Sequence, residues 1–209
     1  MDFNPTYVLL ALPAILFVLI INAGVNITYA KYSKRYSASN ITGARAARLV
    51  LDQNGLQHIP IEQISGKLTD RYDPAANVIY LSEDVYNSTS IAAIGVACHE
   101  VGRAMQYATN YKPIKIRSAI QPVAYIAFKL VMPTLLAGIL LNTLGGIYVL
   151  TYIGLFLFAL SYILRLVILP MEFNIGSRAI AAICENDLLT LDELKCVRQF
   201  FFFAAMTYV

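Results

Sequence analysis

The chain has 209 residues, of which 58% are hydrophobic and 14% charged. With a mean hydropathy of +0.60, that balance is too apolar for an ordinary soluble domain. The net charge of +3 comes without a basic stripe interleaved with aromatics, so nucleic acid is excluded as a partner. In chain order, the first element is Tyr7 to Ile27, 21 residues without a charge, enough to cross a hydrocarbon core as a helix. It has no basic segment in front and no small-residue cleavage site behind, which reads as an uncleaved anchor rather than a signal peptide. Residues 1–28 are therefore the first predicted transmembrane helix.

Residues 29–117 read as one small domain. Thr42 to Leu51 predicts a helix, ended by Gly55 after Asn54. Ile59 to Ile64 and Asn77 to Leu81 predict short strands, the second entered by a turn at Asp73-Pro74. Ser88-Thr89-Ser90 then offers N-cap oxygens for a helix over 91–107 that is apolar on nearly every side. His99, Glu100 and Arg103 are its ionisable groups, and polar groups buried in such a helix need partners or a metal. A zinc peptidase helix of the H-E-x-x-H type places imidazoles at i and i+4 so that both point at one metal. Here the second position is Arg103, a permanent cation without a lone pair for zinc.

From Ser118 to Leu164 run 47 residues with Lys129 as the single charge, which predicts a transmembrane hairpin over 118–170. Asn142-Thr143-Leu144-Gly145-Gly146 supplies its turn, and Lys129 lies where it can snorkel to the interface. Residues 171–209 carry Glu172 and a final apolar run, Phe200 to Val209. Ten residues are too few to span, so the run is either a docked terminal helix or the start of a fourth crossing. Basic residues set the orientation. Lys31, Lys34, Arg35, Arg45 and Arg48 follow the first span, Lys112, Lys115 and Arg117 precede the second, and Arg165 and Arg178 lie at or beyond the end of the third. All fall on one side if the N-terminus is outside and residues 28–117 are cytoplasmic. Cys98, Cys184 and Cys196 are then reduced thiols, read as small packing residues.

Taken alone, His99-Glu100 is a dipeptide that chance supplies in many chains. His58 reads as a surface loop residue, and Cys98 points about 100° away from His99 on an ideal helix. Glu172 alone reads as an interfacial carboxylate paired with Arg165 or Arg178, and Asp70-Arg71 as a solvated pair.

Collinear segments change that balance. Gly43 to Gly55, Gly66 to Pro74, Leu81-Ser82, Ala97 to Gly102, Arg117 to Ala124, Leu169 to Asn174 and Ala204 to Val209 together resemble the YugP-type integral-membrane neutral zinc metallopeptidases, in order and spacing. The resemblance implies a mainly α membrane protein with three transmembrane helices and a small cytoplasmic α+β, zincin-like domain, integral to the cell membrane. It implies zinc as cofactor, with His99 and Glu172 as ligands and Glu100 as the general base that activates a zinc-bound water for peptide hydrolysis. Membrane lipid and a peptide or protein substrate are the implied partners. Val78 to Leu81, read as an edge strand, is the expected place for an extended substrate to add by β-pairing. Arg103 and Arg71 stand where the family pattern has His, and Ile175-Gly176 where it tends to Ala-Ser. Arg71 and Asp73 are accessory candidates beside the Asp-Pro turn. The alternative to a peptidase with an altered ligand set is a metal-free pseudoprotease, a binding or scaffold membrane protein in which Arg103 neutralises Glu100 and Glu172. A transporter is disfavoured by the scarcity of ionisable groups within the spans.

Overall fold

The computed structural model describes residues 5–145 and 148–207. Chain order is α1 (Pro5–Tyr32), α2 (Gly43–Gln53), β1 (Ile61–Ile64), β2 (Arg71–Asp73), β3 (Val78–Ser82), α3 (Glu83–Tyr86), α4 (Ile91–Ala108), α5 (Pro113–Gly145), α6 (Val149–Glu185) and α7 (Leu191–Met206). The fold is mainly helical with one small sheet, and two units divide it. Met1–Tyr111 and Glu172–Thr207 form the first, and Lys112–Met171 falls in the second.

In the first unit, local chemistry sets the helix ends. The Thr42 side chain accepts the Arg45 N–H at the start of α2, and Gly55, with φ +72°, follows its end. Ser90 accepts the Ala93 N–H to start α4. Thr190 and Glu193 form a reciprocal capping box at the start of α7. Packing follows from the apolar stripes. Val50 and Leu51 of α2, Ile94, Ala97 and Val101 of α4, and Val197 and Phe201 of α7 share one buried core with Ile79 and Leu81 of the sheet. The final apolar run is, in its described part, a docked helix: α7 packs on α1 and α4. Tyr32 OH donates to Gln199 at 2.6 Å, and the Ala38 N–H donates to Glu193 at 2.9 Å. Tyr208 and Val209 lie outside the described residues.

The sheet has the order β1-β3-β2, with β1 and β3 parallel and β2 and β3 antiparallel. This corrects the expected edge position of Val78 to Leu81. That strand is central, and its N–H and C=O groups are shared with neighbours on both sides. β2 is the strand that sequence patterning missed. It pairs Arg71, Tyr72 and Asp73 with Tyr80, Ile79 and Val78, leading into the Asp73-Pro74 turn that the sequence does predict.

In the second unit, α5 and α6 are long and apolar enough to cross a membrane, with 33 and 37 residues. Their approach is close. A Cβ on Gly138 would meet Thr151 N at 2.6 Å, and one on Gly154 would meet Leu135 Cδ2 at 2.7 Å, the small-residue contact that lets membrane helices pack. α5 continues helical through Asn142 to Gly145, where a turn was expected, and Gly146 lies outside the described residues. α6 runs through Pro170 without a break, so Glu172 belongs to the same helix as the apolar segment before it.

Candidate active site

The site is built on α4 and on the part of α6 that belongs to the first unit. His99, Glu100 and Arg103 lie mid-helix on α4, where i, i+3 and i, i+4 spacings bring side chains together. Glu100 is 5% exposed and Glu172 3% exposed, so both carboxyls need compensation. Arg103 supplies it. Its Nη2 donates to Glu172 Oε2 at 3.2 Å, and its Nε lies 3.4 Å from Glu100 Oε2. The Tyr72 N–H of β2 donates to the same Glu100 oxygen at 2.9 Å, and His99 Nδ1 lies 3.4 Å from Glu100 Oε1. His99, Glu100, Arg103 and Glu172 are thus joined in one chain of contacts. Burial pushes the Glu100 carboxyl up, but the Arg103 charge, His99 and the Tyr72 N–H together outweigh it and hold the group below its ordinary value.

The backbones are close enough for this because of Gly102. A Cβ there would sit 2.9 Å from the Ile175 carbonyl oxygen, so a larger residue would push α4 away from the Glu172 helix. One turn further along, Gln106 Nε2 and Arg178 Nε both donate to Asn174 Oδ1, at 2.9 and 3.0 Å. This polar clamp ties the two helices beside the Arg103–Glu172 contact. Phe201 of α7 packs against the His99 ring in a tilted contact, with centroids 5.0 Å apart. Ile175 is fully buried near Gly102, and Gly176 faces Phe201, so both residues of the altered Ile175-Gly176 pair line the contact surfaces of this site.

Sequence reasoning brought out four of these residues and missed Tyr72, Gln106, Asn174 and Phe201. Asn174 had a signal in its place two residues after Glu172. Tyr72 acts through its backbone, and Phe201 comes from the far end of the chain, so neither leaves a local pattern. The accessory candidates lie beside the site and outside it. The Arg71 guanidinium stacks over Tyr80 at 4.8 Å, and the Asp73 carboxylate accepts the Ala75 and Ala76 N–H groups within its turn. The expected Asp70–Arg71 pair is replaced by Asp70 accepting from Ser82 N and Oγ. Glu172, which read alone as a partner of Arg165 or Arg178, pairs with Arg103. His58 is exposed, as expected, at a cavity of about 440 Å³ shared with Tyr72, Asn77, Ala104 and Tyr107. Cys98 is a buried packing residue whose thiol is pushed up to about 12 by burial, whereas Cys184 is exposed.

The donor set does not fit zinc as it stands. A catalytic zinc takes three protein ligands with available lone pairs. Here a guanidinium occupies the third place and engages both carboxylates. No group of three His, Cys, Asp or Glu suited to a metal occurs among the described residues.

The chain is 40% identical over 185 residues to "Putative membrane protease YugP" of Bacillus subtilis (strain 168), covering 88% of this chain and 80% of that protein. No solved structure matches it significantly. Residues 7–209 match the family described as "Putative neutral zinc metallopeptidase", and the chain belongs to that family.

Proposed function

We propose that this chain is a membrane-inserted member of the peptidase family in which Arg103 takes the electrostatic place of zinc. It holds peptide or protein segments in a peptidase-shaped site and hydrolyses them poorly. The observation that carries this reading is the Arg103 guanidinium between Glu100 and Glu172. A bound Zn²⁺ would share the site with a permanent cation. Even one pair of unit charges 4 Å apart repels by about 4 kcal/mol at an effective dielectric near 20. The hydrolase reading, with Glu100 as general base and His99 and Glu172 on zinc, is the state that Arg103→His is expected to recover. Zinc analysis and peptidase assays on the unmodified chain and on Arg103→His test this. The unmodified chain should hold sub-stoichiometric zinc and show weak hydrolysis, and the variant should gain both. Stoichiometric zinc with full activity in the unmodified chain would overturn the proposal.

The proposed topology has three spans, α1 with α5 and α6, and residues 28–117 on the cytoplasmic side of the cell membrane. Support comes from α5 and α6 as candidate spans and from the one-sided distribution of Lys and Arg. Cysteine-accessibility labelling that finds Asn87 on the outer face would sink the orientation.

A further inference from the structure

Lys112–Met171 contains five cations, Lys112, Lys115, Arg117, Lys129 and Arg165, and neither aspartate nor glutamate. Lys129 and Arg165 sit deepest in the apolar part of α5 and α6, and each lies over an aromatic ring. Lys129 Nζ is 4.7 Å from the Tyr125 ring centroid, and Arg165 Cζ is 4.4 Å from that of Phe128. One charge comes from each helix, and both gather at a single turn of α5, Tyr125 to Lys129. Counted toward the α5–α6 connection, Gly145 lies 16 positions from Lys129, and Val149 lies 16 positions from Arg165. At 1.5 Å per residue each stretch is about 24 Å long, and neither carries a charge between its ends. At the far end, Tyr148 and Tyr152 are 56% and 68% exposed, as interfacial aromatics are.

A ring face attracts a cation without neutralising it, and a charge within hydrocarbon is costly. With no carboxylate in the segment, compensation for these two cations has to come from outside it. We infer that the turn Tyr125 to Lys129, together with Arg165, is a phospholipid-binding collar. The two cations engage the phosphates of anionic lipid headgroups, with the Tyr125 and Phe128 rings beside them at the start of the apolar band. The apolar band between collar and tip, about 24 Å, is shorter than an average hydrocarbon core of about 30 Å, so the hairpin suits a thin bilayer or thins its surroundings.

The inference rests on reading α5 and α6 as a membrane hairpin, and the test separates the two. The chain contains no tryptophan, so one introduced indole reports its own depth. Full-length chains with Leu136→Trp or Tyr125→Trp are reconstituted in phosphatidylcholine and phosphatidylglycerol vesicles brominated near the headgroup or near the acyl end. Leu136→Trp should be quenched most by the deep bromines, and Tyr125→Trp most by the shallow ones. An unquenched Leu136→Trp would sink the hairpin itself. Deep quenching of both would leave the hairpin standing and overturn the collar. In the Tyr125→Trp background, Lys129→Gln with Arg165→Gln should raise the deep-to-shallow quenching ratio at least about twofold. Lys129→Arg with Arg165→Lys should leave it unchanged. Removing phosphatidylglycerol should move the ratio of the otherwise unmodified Tyr125→Trp chain in the same direction as the glutamine pair. A ratio indifferent to both the glutamine pair and the anionic lipid would refute phosphate binding.

Discussion

Arg103 and Arg165 are both cations on helices that are otherwise almost entirely apolar, and their surroundings differ completely. Around Arg103, two carboxylates lie nearly buried, and a strand N–H and an imidazole complete the set. Around Arg165 the partner is the Phe128 ring, in a segment without a single acid. A charge that the fold neutralises becomes a structural element, because its carboxylates depend on it. A charge left to its surroundings contributes to placement and little to folding. Similar residues on similar helices thus serve different links between sequence and function.

The sharpest way to break this contrast is Arg103→Ala. It leaves Glu100 and Glu172 as buried carboxylates without their shared cation, and loss of about 3–5 kcal/mol is expected. Denaturation in detergent, referenced to the unmodified chain, measures it. The pH dependence has a defined sign. Glu100 is held below its usual value of 4.5, so its contribution is complete above that pH. It is lost as pH falls through the lower folded value. The stability gap between the two chains should therefore narrow in acid. A gap that stays constant would mean that Arg103 acts through packing alone.

Gly102→Ala comes next in size. A Cβ 2.9 Å from the Ile175 carbonyl oxygen forces the two site helices apart, at about 1–3 kcal/mol. It should also weaken the Arg103–Glu172 contact without touching either charge. Thr190→Ala calibrates an ordinary local loss, since it removes one half of a capping box at about 1 kcal/mol. Arg165→Gln is expected to be the mildest, within about 0.5 kcal/mol, because no carboxylate is left behind. If Arg165→Gln cost as much as Arg103→Ala, the two cations would play the same structural part.

Legibility in the sequence followed the range of the interactions involved. The start of α4 was readable because Ser90 caps it by contacts three residues away. Glu100 and Arg103 were readable as partners because helix spacing alone brings them together. β2 was not, since Arg71, Tyr72 and Asp73 carry no apolar alternation and form a strand by pairing with β3. Missing β2 is also what made β3 look like an edge. α5 starts before the predicted apolar span, because the last charge marks where the apolar run begins, whereas Pro113 at the first helical position begins the helix before Lys115 and Arg117. Glu172 needed topology and family resemblance together. The Tyr72 N–H and the Phe201 ring belong to tertiary structure, and no spacing rule reaches them.

The first unit is discontinuous in the chain, and that shapes how it is made. Arg103 meets Glu172 across 69 residues, Ala38 meets Glu193 across 155, and Tyr32 meets Gln199 across 167. A nascent chain emerges from its N-terminus, so α2, the sheet and α4 appear long before their remaining partners. In that interval Glu100 has Arg103 but Arg103 lacks Glu172, and the core lacks Val197 and Phe201. The slow closure of such distant contacts falls after the apolar hairpin has been synthesised. On the proposed topology, insertion of the hairpin precedes completion of the site, and an insertion defect should surface first as an unfinished domain.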